Sequence, residues 1–238
     1  MIFKAAFLIC VSLSLVIYSE QSALDDLQTT MDLIEMKISV ATTEAAATLR
    51  TLNTPLKYYA AKAENRLIQE LNEVAKPYWT FIEEAQQEAE QNGQNIDNCI
   101  DVGNSELYIN NNTFVGGAYD EISLMVIKGE RKIEESYGPA KNQPLKQLED
   151  MKERVKACTD EDYAVELKKQ LNEEYVEMST GIANAIQEAE DFAFVEFAES
   201  LEGYTFNHVD YINSMNSVIS NVKYCIETSK KINPKILI

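Results

Sequence analysis

Apolar residues recur at steps of three and four through the stretch from Tyr163 to Leu201, which is the spacing of one face of an α-helix. Charged residues, most of them glutamate, lie between them. The pattern therefore predicts an amphipathic helix with one face on a core and the other in solvent. The apolar face comprises Tyr163, Leu167, Leu171, Tyr175, Met178, Ile182, Ile186, Ala189, Ala193, Phe197 and Leu201.

A similar apolar stripe runs from Leu145 to Cys158, but the next apolar position, Tyr163, is five residues further on. That step puts the two stripes out of phase. Thr159 is followed by three acidic residues, as at a helix N-cap, and basic residues precede it, as at a helix C-terminus. The pattern favours two helices with a junction at Thr159; the alternative is one bent, continuous helix.

Further helices are predicted on both sides of this stretch. The first spans Leu24 to Leu52, and Ser22 and Asp25 have the spacing of a capping box at its start. The second begins at Pro55 and ends near Asn92, where Gly93 can adopt a left-handed cap. Proline inside a helix removes a hydrogen bond, so Pro77 should kink or divide this helix near Val74. Later helices are expected at residues 96–108, 119–136 and 207–229.

Three polar or glycine- and proline-containing segments are predicted to be loops. They are Asn110–Thr113 with the following Gly116 and Gly117, the segment from Gly138 to Pro144, and a hairpin connection at residues 202–206. The chain has only 8 Gly and 5 Pro among 238 residues, and 45% of its residues are hydrophobic. This composition indicates few turns and a sizeable core.

The predicted fold class is all-α, an elongated bundle of long antiparallel amphipathic helices. The expected organisation is a signal peptide at residues 1–22, an N-terminal helical hairpin at 23–93, and a C-terminal helical bundle at 94–238.

The first residues have the pattern of a secretory signal. Lys4 precedes an apolar run from Ala5 to Ile17, which is too short to span a bilayer comfortably. We expect secretion with removal of this segment; an uncleaved anchor is the alternative.

The charge balance narrows the range of partners. The chain has 21 Lys and Arg against 39 Asp and Glu, for a formal net charge of -18. Nucleic acids and anionic membranes are bound by clustered basic residues. We therefore expect no nucleic-acid binding and no stable membrane insertion, and a soluble extracellular chain.

Three cysteines, Cys99, Cys158 and Cys225, remain after the signal, so they cannot all pair with one another. If helices fold back near Lys141 and Tyr204, Cys99 and Cys225 lie at one level, and this pair is favoured. If the chain instead reverses at Thr159, Cys158 lies near a helix end and could meet either of them. The unpaired cysteine would be buried or would link two chains as a homodimer.

No set of residues indicates catalysis. His208 is the only histidine, which excludes a metal site built on several imidazoles. Adjacent carboxylates occur on solvated helix faces, where they are expected to be surface charge rather than acid–base pairs. We expect no enzyme activity, no cofactor and no metal. The aromatic group around Trp79 could line a ligand site, but a core anchor beneath a bend is the favoured interpretation.

Asn111 and Thr113 form an N-glycosylation sequon. Because the sequon falls in a predicted polar loop of a secreted chain, we expect Asn111 to be glycosylated.

With its signal, acidic helices and cysteines in the contexts Asn98-Cys99-Ile100, Lys156-Ala157-Cys158 and Lys223-Tyr224-Cys225, the chain resembles insect secreted proteins with a TsetseEP domain. The resemblance covers residues 96–229 and leaves Leu24 to Gly93 outside it. It implies a helical protein secreted into gut lumen, haemolymph or glandular fluid, and it supplies no catalytic residues.

These observations favour a structural role, or one in interaction with another protein or a cell surface. The alternative is an extracellular carrier that holds an apolar small molecule or lipid between its helices, because the chain has 12 Tyr, 8 Phe and 7 Met.

Overall fold

A computed structural model describes residues 22–205 and 207–232, and the predicted signal peptide, apart from its last residue Ser22, lies outside these ranges. The described chain is all-α, which confirms the predicted fold class. In chain order the elements are α1 (Ala23–Thr51), α2 (Asn53–Gln91), α3 (Asp97–Glu135), a π-helical segment (Gly138–Asn142), α4 (Gln143–Ala157), α5 (Glu161–Asp191), a second π-helical segment (Phe192–Glu196), α6 (Phe197–Glu202) and α7 (His208–Ile232).

These elements form three long rods side by side. The first rod is α1 and α2, joined through Leu52 in a right-handed helical conformation. The second rod is α3, the first π segment and α4. The third rod is α5, the second π segment, α6 and α7. The contacts that give their directions are Lys57 with Glu130, Tyr137 with Ala46, Lys152 with Glu35, Arg66 with Leu201, Tyr211 with Leu71, and Lys132 with Glu196.

The second rod is antiparallel to both of its neighbours, whereas the first and third rods run parallel. The chain therefore reverses at residues 92–96 and again at residues 158–160. At 1.5 Å per residue, the first rod is about 100 Å long. The bundle is elongated, as predicted, but only two of its three rod pairs are antiparallel.

Local capping residues mark the starts of the helices and the reversals. Ser22 Oγ accepts a hydrogen bond from the N–H of Asp25 at the start of α1, as the sequence predicts. Gly93 has a φ of 62° after α2, which confirms its left-handed cap. The junction at Thr159 is also confirmed, but the N-cap is Asp160, whose Oδ1 accepts from the N–H of Tyr163 at 2.8 Å.

An 11-residue repeat of buried positions runs along the first two rods and, except at the exposed Ser200, along the third. Eleven residues in three turns give 3.67 residues per turn, close to the 3.6 of an α-helix, so long straight helices can keep one face buried. The repeat comprises Leu27, Ile38, Leu49, Ala60, Leu71 and Ile82 in the first rod, Leu107, Ala118, Gly129, Ala140 and Met151 in the second, and Leu167, Met178, Ala189, Tyr211 and Val222 in the third.

The predicted loops at 110–113 and 138–144 are wrong. Asn110 to Thr113 lie inside the continuous helix α3, and the second segment passes through a π-helical turn into α4. Pro77 likewise lies inside the unbroken helix α2. In each place the buried repeat continues on both sides, so packing overrides the local preference of these residues for a turn. A π-helical turn holds more residues than an α-turn and lets the slowly drifting apolar stripe return to the core side.

The N-terminal hairpin predicted at 23–93 is also wrong. Helix α1 packs along α5 and α4, and α2 packs along α3, so the two are successive parts of one rod. The predicted hairpin connection at 202–206 fails for the same reason: α7 continues beyond α6 onto α2 and α3 instead of folding back. The first rod therefore extends through both of the predicted units.

Two apolar clusters fill the bundle. The proximal core extends from Leu27 and Val155 to Leu67 and Leu201, and the distal core extends from Leu71 to Val222. They meet near the interruption between α6 and α7. No helix in the described part of the chain is long and apolar enough to cross a membrane.

Candidate functional site

Cys99 and Cys225 form a disulfide bond at the distal end of the rod, with their Cα atoms 5.7 Å apart. Cys99 lies in the first turn of α3, and Cys225 lies on the facing side of α7. The favoured cysteine pair is therefore the one found, but the fold-back points at Lys141 and Tyr204 from which it was predicted do not exist. The bond closes the end of the bundle where α2 turns into α3.

Cys158 is unpaired and lies at the opposite, proximal end. It caps α4 in an extended conformation, is half-buried, and its Sγ lies 3.6 Å from the carbonyl oxygen of Asp160. With 59 residues of rod between Cys99 and Cys158, the two are about 90 Å apart. Cys158 therefore cannot serve as the alternative disulfide partner within one folded chain.

Asn111 lies within α3 rather than on a loop, and its side chain has a structural contact. Its Oδ1 accepts a hydrogen bond from the hydroxyl of Tyr211 at 2.6 Å, and the same hydroxyl lies 3.4 Å from the carbonyl oxygen of Leu71. Tyr211 is fully buried; burial, and secondarily the neighbouring Tyr78, raises the pKa of Tyr211 to about 12. The predicted loop context of the sequon is thus wrong, while glycosylation of Asn111 stays a prediction.

The interruption between α6 and α7 is held by side chains from both neighbouring rods. The guanidinium of Arg66 donates to the carbonyl oxygens of Leu201, Glu202 and Tyr204 at 2.9, 3.0 and 3.0 Å. From the second rod, Glu121 accepts a hydrogen bond from the hydroxyl of Tyr204. Burial and this carboxylate raise the pKa of Tyr204 to about 12. The third rod therefore stays aligned with the other two rods although its helix is interrupted between α6 and α7.

Arg66 is a residue that sequence reasoning missed. An arginine on a helix is ordinarily read as surface charge, and its carbonyl partners lie about 135 residues away.

His208 lies at the same level, half-exposed, with its Nε2 3.8 Å from Glu70 Oε2. Trp79 is half-buried against the distal core, which agrees with its interpretation as a core anchor.

The distal half of the rod carries unbalanced negative charge. Nine Asp and Glu residues and no Lys, Arg or His occur from Pro77 to Ile127, and α7 adds Asp210 and Glu227 against Lys223, Lys230 and Lys231, so the eleven acidic and three basic residues of these two segments give a net charge of -8. In the proximal half, by contrast, basic side chains pair with acidic ones across the rods. These pairs are Lys57 with Glu130, Lys132 with Glu196, Lys152 with Glu35, Arg154 with Glu174, and Lys168 with Asp26.

A groove of about 270 Å³ lies between α2 and α7 in this acidic half. We call it the distal groove. Its apolar floor contains Phe81, Ala85 and Ile226, and its acidic rim is formed by Glu84, Glu88 and Glu227. The remaining charge is Lys223, whose Nζ lies over the Phe81 ring, 5.0 Å from its centroid.

An open surface recess of about 690 Å³ is lined by residues of α5 alone, from Val165 to Glu177, and so is not an enclosed site. A recess against the core between α2 and α3 has about 10 Å³. Among the described residues, no group of three or more His, Cys, Asp or Glu side chains could hold a metal ion.

Comparison of the chain with protein-family models, with curated proteins and with solved structures finds no match.

Proposed function

We propose that the mature chain is a secreted, acidic, rod-shaped protein that serves a structural role, or one of interaction with another protein or a cell surface. The observation that carries this proposal is the form of the bundle, in which three rods stay packed along about 100 Å. A rod of this kind separates whatever is bound at its two ends and offers a long solvated surface.

Secretion is supported by two separate features. The apolar run after Lys4 has the length of a signal peptide, and a disulfide between Cys99 and Cys225 is typical of an oxidising compartment. The resemblance of residues 96–229 to the TsetseEP family belongs to the same proposal, with insect gut lumen, haemolymph or glandular fluid as the place of secretion.

The carrier alternative receives less support from the packing. Sites for small molecules enclose roughly 300–1,000 Å³. The recess against the apolar core between α2 and α3 has about 10 Å³, and the recesses of about 690 Å³ on α5 and about 420 Å³ between α2 and α6 are open to solvent. The aromatic and methionine side chains that suggested a ligand mostly fill the two cores, as Tyr211 and Met215 do.

Native mass spectrometry of the protein secreted by insect cells tests the proposal. The full chain should appear in the medium without its first residues, about 22 in number, and without a bound lipid. Incubation with the native fluid should then yield a complex with a protein. Retention of the chain inside the cells, or a lipid bound at fixed stoichiometry, would contradict the proposal.

The same spectra address two further parts of it. A glycan on Asn111 would add a mass that disappears in an Asn111→Gln variant. A covalent homodimer through Cys158 would double the mass and revert to monomer with a thiol reductant or in Cys158→Ser.

A further inference from the structure

We propose that the distal groove between α2 and α7 binds a cationic amphipathic helix of a partner protein. This inference rests on the proposed interaction role, and it names the site and the chemistry of the partner.

The volume of the groove suits anchoring side chains. At about 270 Å³ it is slightly smaller than the roughly 300 Å³ at which sites for whole small molecules begin. Two of its floor residues, Ala85 and Ala89, are small, so an approaching helix can come close to the backbone of α2. A partner helix would place one or two large apolar side chains against Phe81 and Ile226, in the manner of helix-in-groove recognition.

The rim determines the charge of the partner. Glu84 and Glu88 are one helical turn apart on α2, and Glu227 is on the opposite wall. Against these three carboxylates stands one ammonium, that of Lys223, which lies over the Phe81 ring. Lysines one turn apart on a bound helix would meet the two α2 carboxylates while the apolar face between them enters the groove.

The residues around the distal groove also favour a positively charged partner. Residues 77–127 contribute nine acidic side chains and no basic one, which outweighs the three lysines and two acidic residues of α7, so the potential at this end of the rod attracts cations over a longer range than the groove alone. An acidic helix would be repelled here, a neutral helix would leave the rim carboxylates unpaired, and a polar cationic peptide would leave the apolar floor uncovered. The negative charge and the apolar floor of the distal groove together therefore favour a cationic amphipathic helix.

Fluorescence anisotropy with a defined probe tests the inference on the intact, oxidised protein. The probe is a labelled 14-residue helical peptide with Leu at positions i, i+3, i+4 and i+7 and Lys at the others. One control peptide has Glu in place of Lys, and a second has Ser in place of Leu. We expect only the Leu–Lys peptide to bind, with an affinity that falls between 50 and 300 mM salt because the charges are screened.

Matched variants separate the groove from the general field. Glu84→Gln with Glu88→Gln removes two charges from the rim, and Asp101→Asn with Asp120→Asn removes two exposed charges of α3 that belong to the acidic half but not to the groove. We expect the rim pair to weaken binding about three- to twentyfold, as for two exposed ion pairs, and the control pair to change it less than twofold.

Filling the floor with Ala85→Leu should weaken binding without removing charge, and an unchanged far-UV circular dichroism spectrum shows that the fold is kept. Equal losses from the rim and control pairs, equal binding of the Glu peptide, or no saturable binding of the Leu–Lys peptide would overturn the inference. None of these results would bear on whether the secreted rod has a protein partner in native mass spectra, so the two proposals can fail separately.

Discussion

Replacing Gly103 with alanine should destabilise the protein, although alanine is the better helix former. An ideal Cβ at Gly103 would lie 2.5 Å from Val222 Cγ2 and 3.0 Å from Ile82 Cδ1. Gly103 is on the second rod, Val222 on the third and Ile82 on the first. The added methyl group would therefore enter the point where all three rods meet in the distal core.

The magnitude follows from two opposing terms. Alanine gains about 1 kcal/mol over glycine inside a helix, and overpacking a core costs about 1–3 kcal/mol. Val222 cannot easily turn away, because a β-branched side chain in a helix has one strongly preferred rotamer. Gly103→Ala should therefore lower the free energy of unfolding by about 0–2 kcal/mol.

Gly116→Ala is the matched control. Gly116 also lies inside α3, but a Cβ there would meet nothing within 4 Å. This variant should be more stable than the original protein by about 1 kcal/mol, which for a chain of this size is about 2–4 °C in melting temperature. Thermal unfolding followed by circular dichroism on oxidised protein measures both variants. If Gly103→Ala stabilises as much as Gly116→Ala does, the placement of α7 against α3 is wrong.

Three other perturbations test how the third rod is held. Arg66→Gln should cost about 1.5–3 kcal/mol through the loss of charged hydrogen bonds to three carbonyl oxygens. In the Arg66→Gln variant, amide hydrogen exchange should be faster at residues 201–211 but unchanged in α1. Exchange that is faster to the same extent throughout the chain would contradict a local role of Arg66. Cys225→Ser should lower stability by about 4–5 kcal/mol, because the disulfide closes a loop of more than 100 residues. Cys158→Ser should leave stability nearly unchanged, and equal effects of the two serine variants would contradict the disulfide. Tyr204 and Tyr211 have pKa values of about 12 in the folded chain against an ordinary 10.0, so folding favours their protonated forms. That contribution is complete below pH 10 and is lost as the pH rises from 10 to 12. The free energy of unfolding measured in urea should fall between pH 10 and pH 12, and it should fall less steeply when Tyr204 and Tyr211 are both replaced by phenylalanine. Identical slopes of free energy against pH in the two proteins would contradict this contribution.

The parts of the fold that could be predicted from the sequence are those with local causes. Ser22, Gly93 and the acidic residues after Thr159 act through hydrogen bonds and dipoles within one helical turn, so a short window of sequence contains the signal. The helical periodicity between Tyr163 and Leu201 is local in the same sense.

The errors arose where distant packing decides. Asn110 to Thr113 favour a loop by composition, but Leu107 and Ala118 on either side are buried on one continuous face. The 11-residue repeat through these positions is visible in the sequence and would have predicted an unbroken rod. In the third rod the repeat lapses at Ser200, which is exposed, and buried positions at this spacing resume at Tyr211 beyond the interruption.

The candidate site was predictable only in part. The cysteine pair was predicted from fold-back points that do not exist. The reversal near Thr159, which the sequence pattern linked instead to Cys158, is what brings the pair together, because Cys99 lies about 60 residues before it and Cys225 about 65 after it, at nearly the same level of the rod. The distal groove could not be predicted, since its walls α2 and α7 are about 140 residues apart in sequence and become neighbours only after both reversals.

Small-angle X-ray scattering of the mature, oxidised protein tests the central claim that the chain is one three-stranded rod. A rod of about 100 Å has a radius of gyration of about 30 Å, whereas a compact domain of the same 216 or so residues has about 17 Å. We predict a maximum dimension of about 100 Å with the larger radius of gyration. A maximum dimension near half that length, with a radius of gyration near 17–20 Å, would mean that the first rod also folds back, between α1 and α2, and would contradict the three-rod bundle.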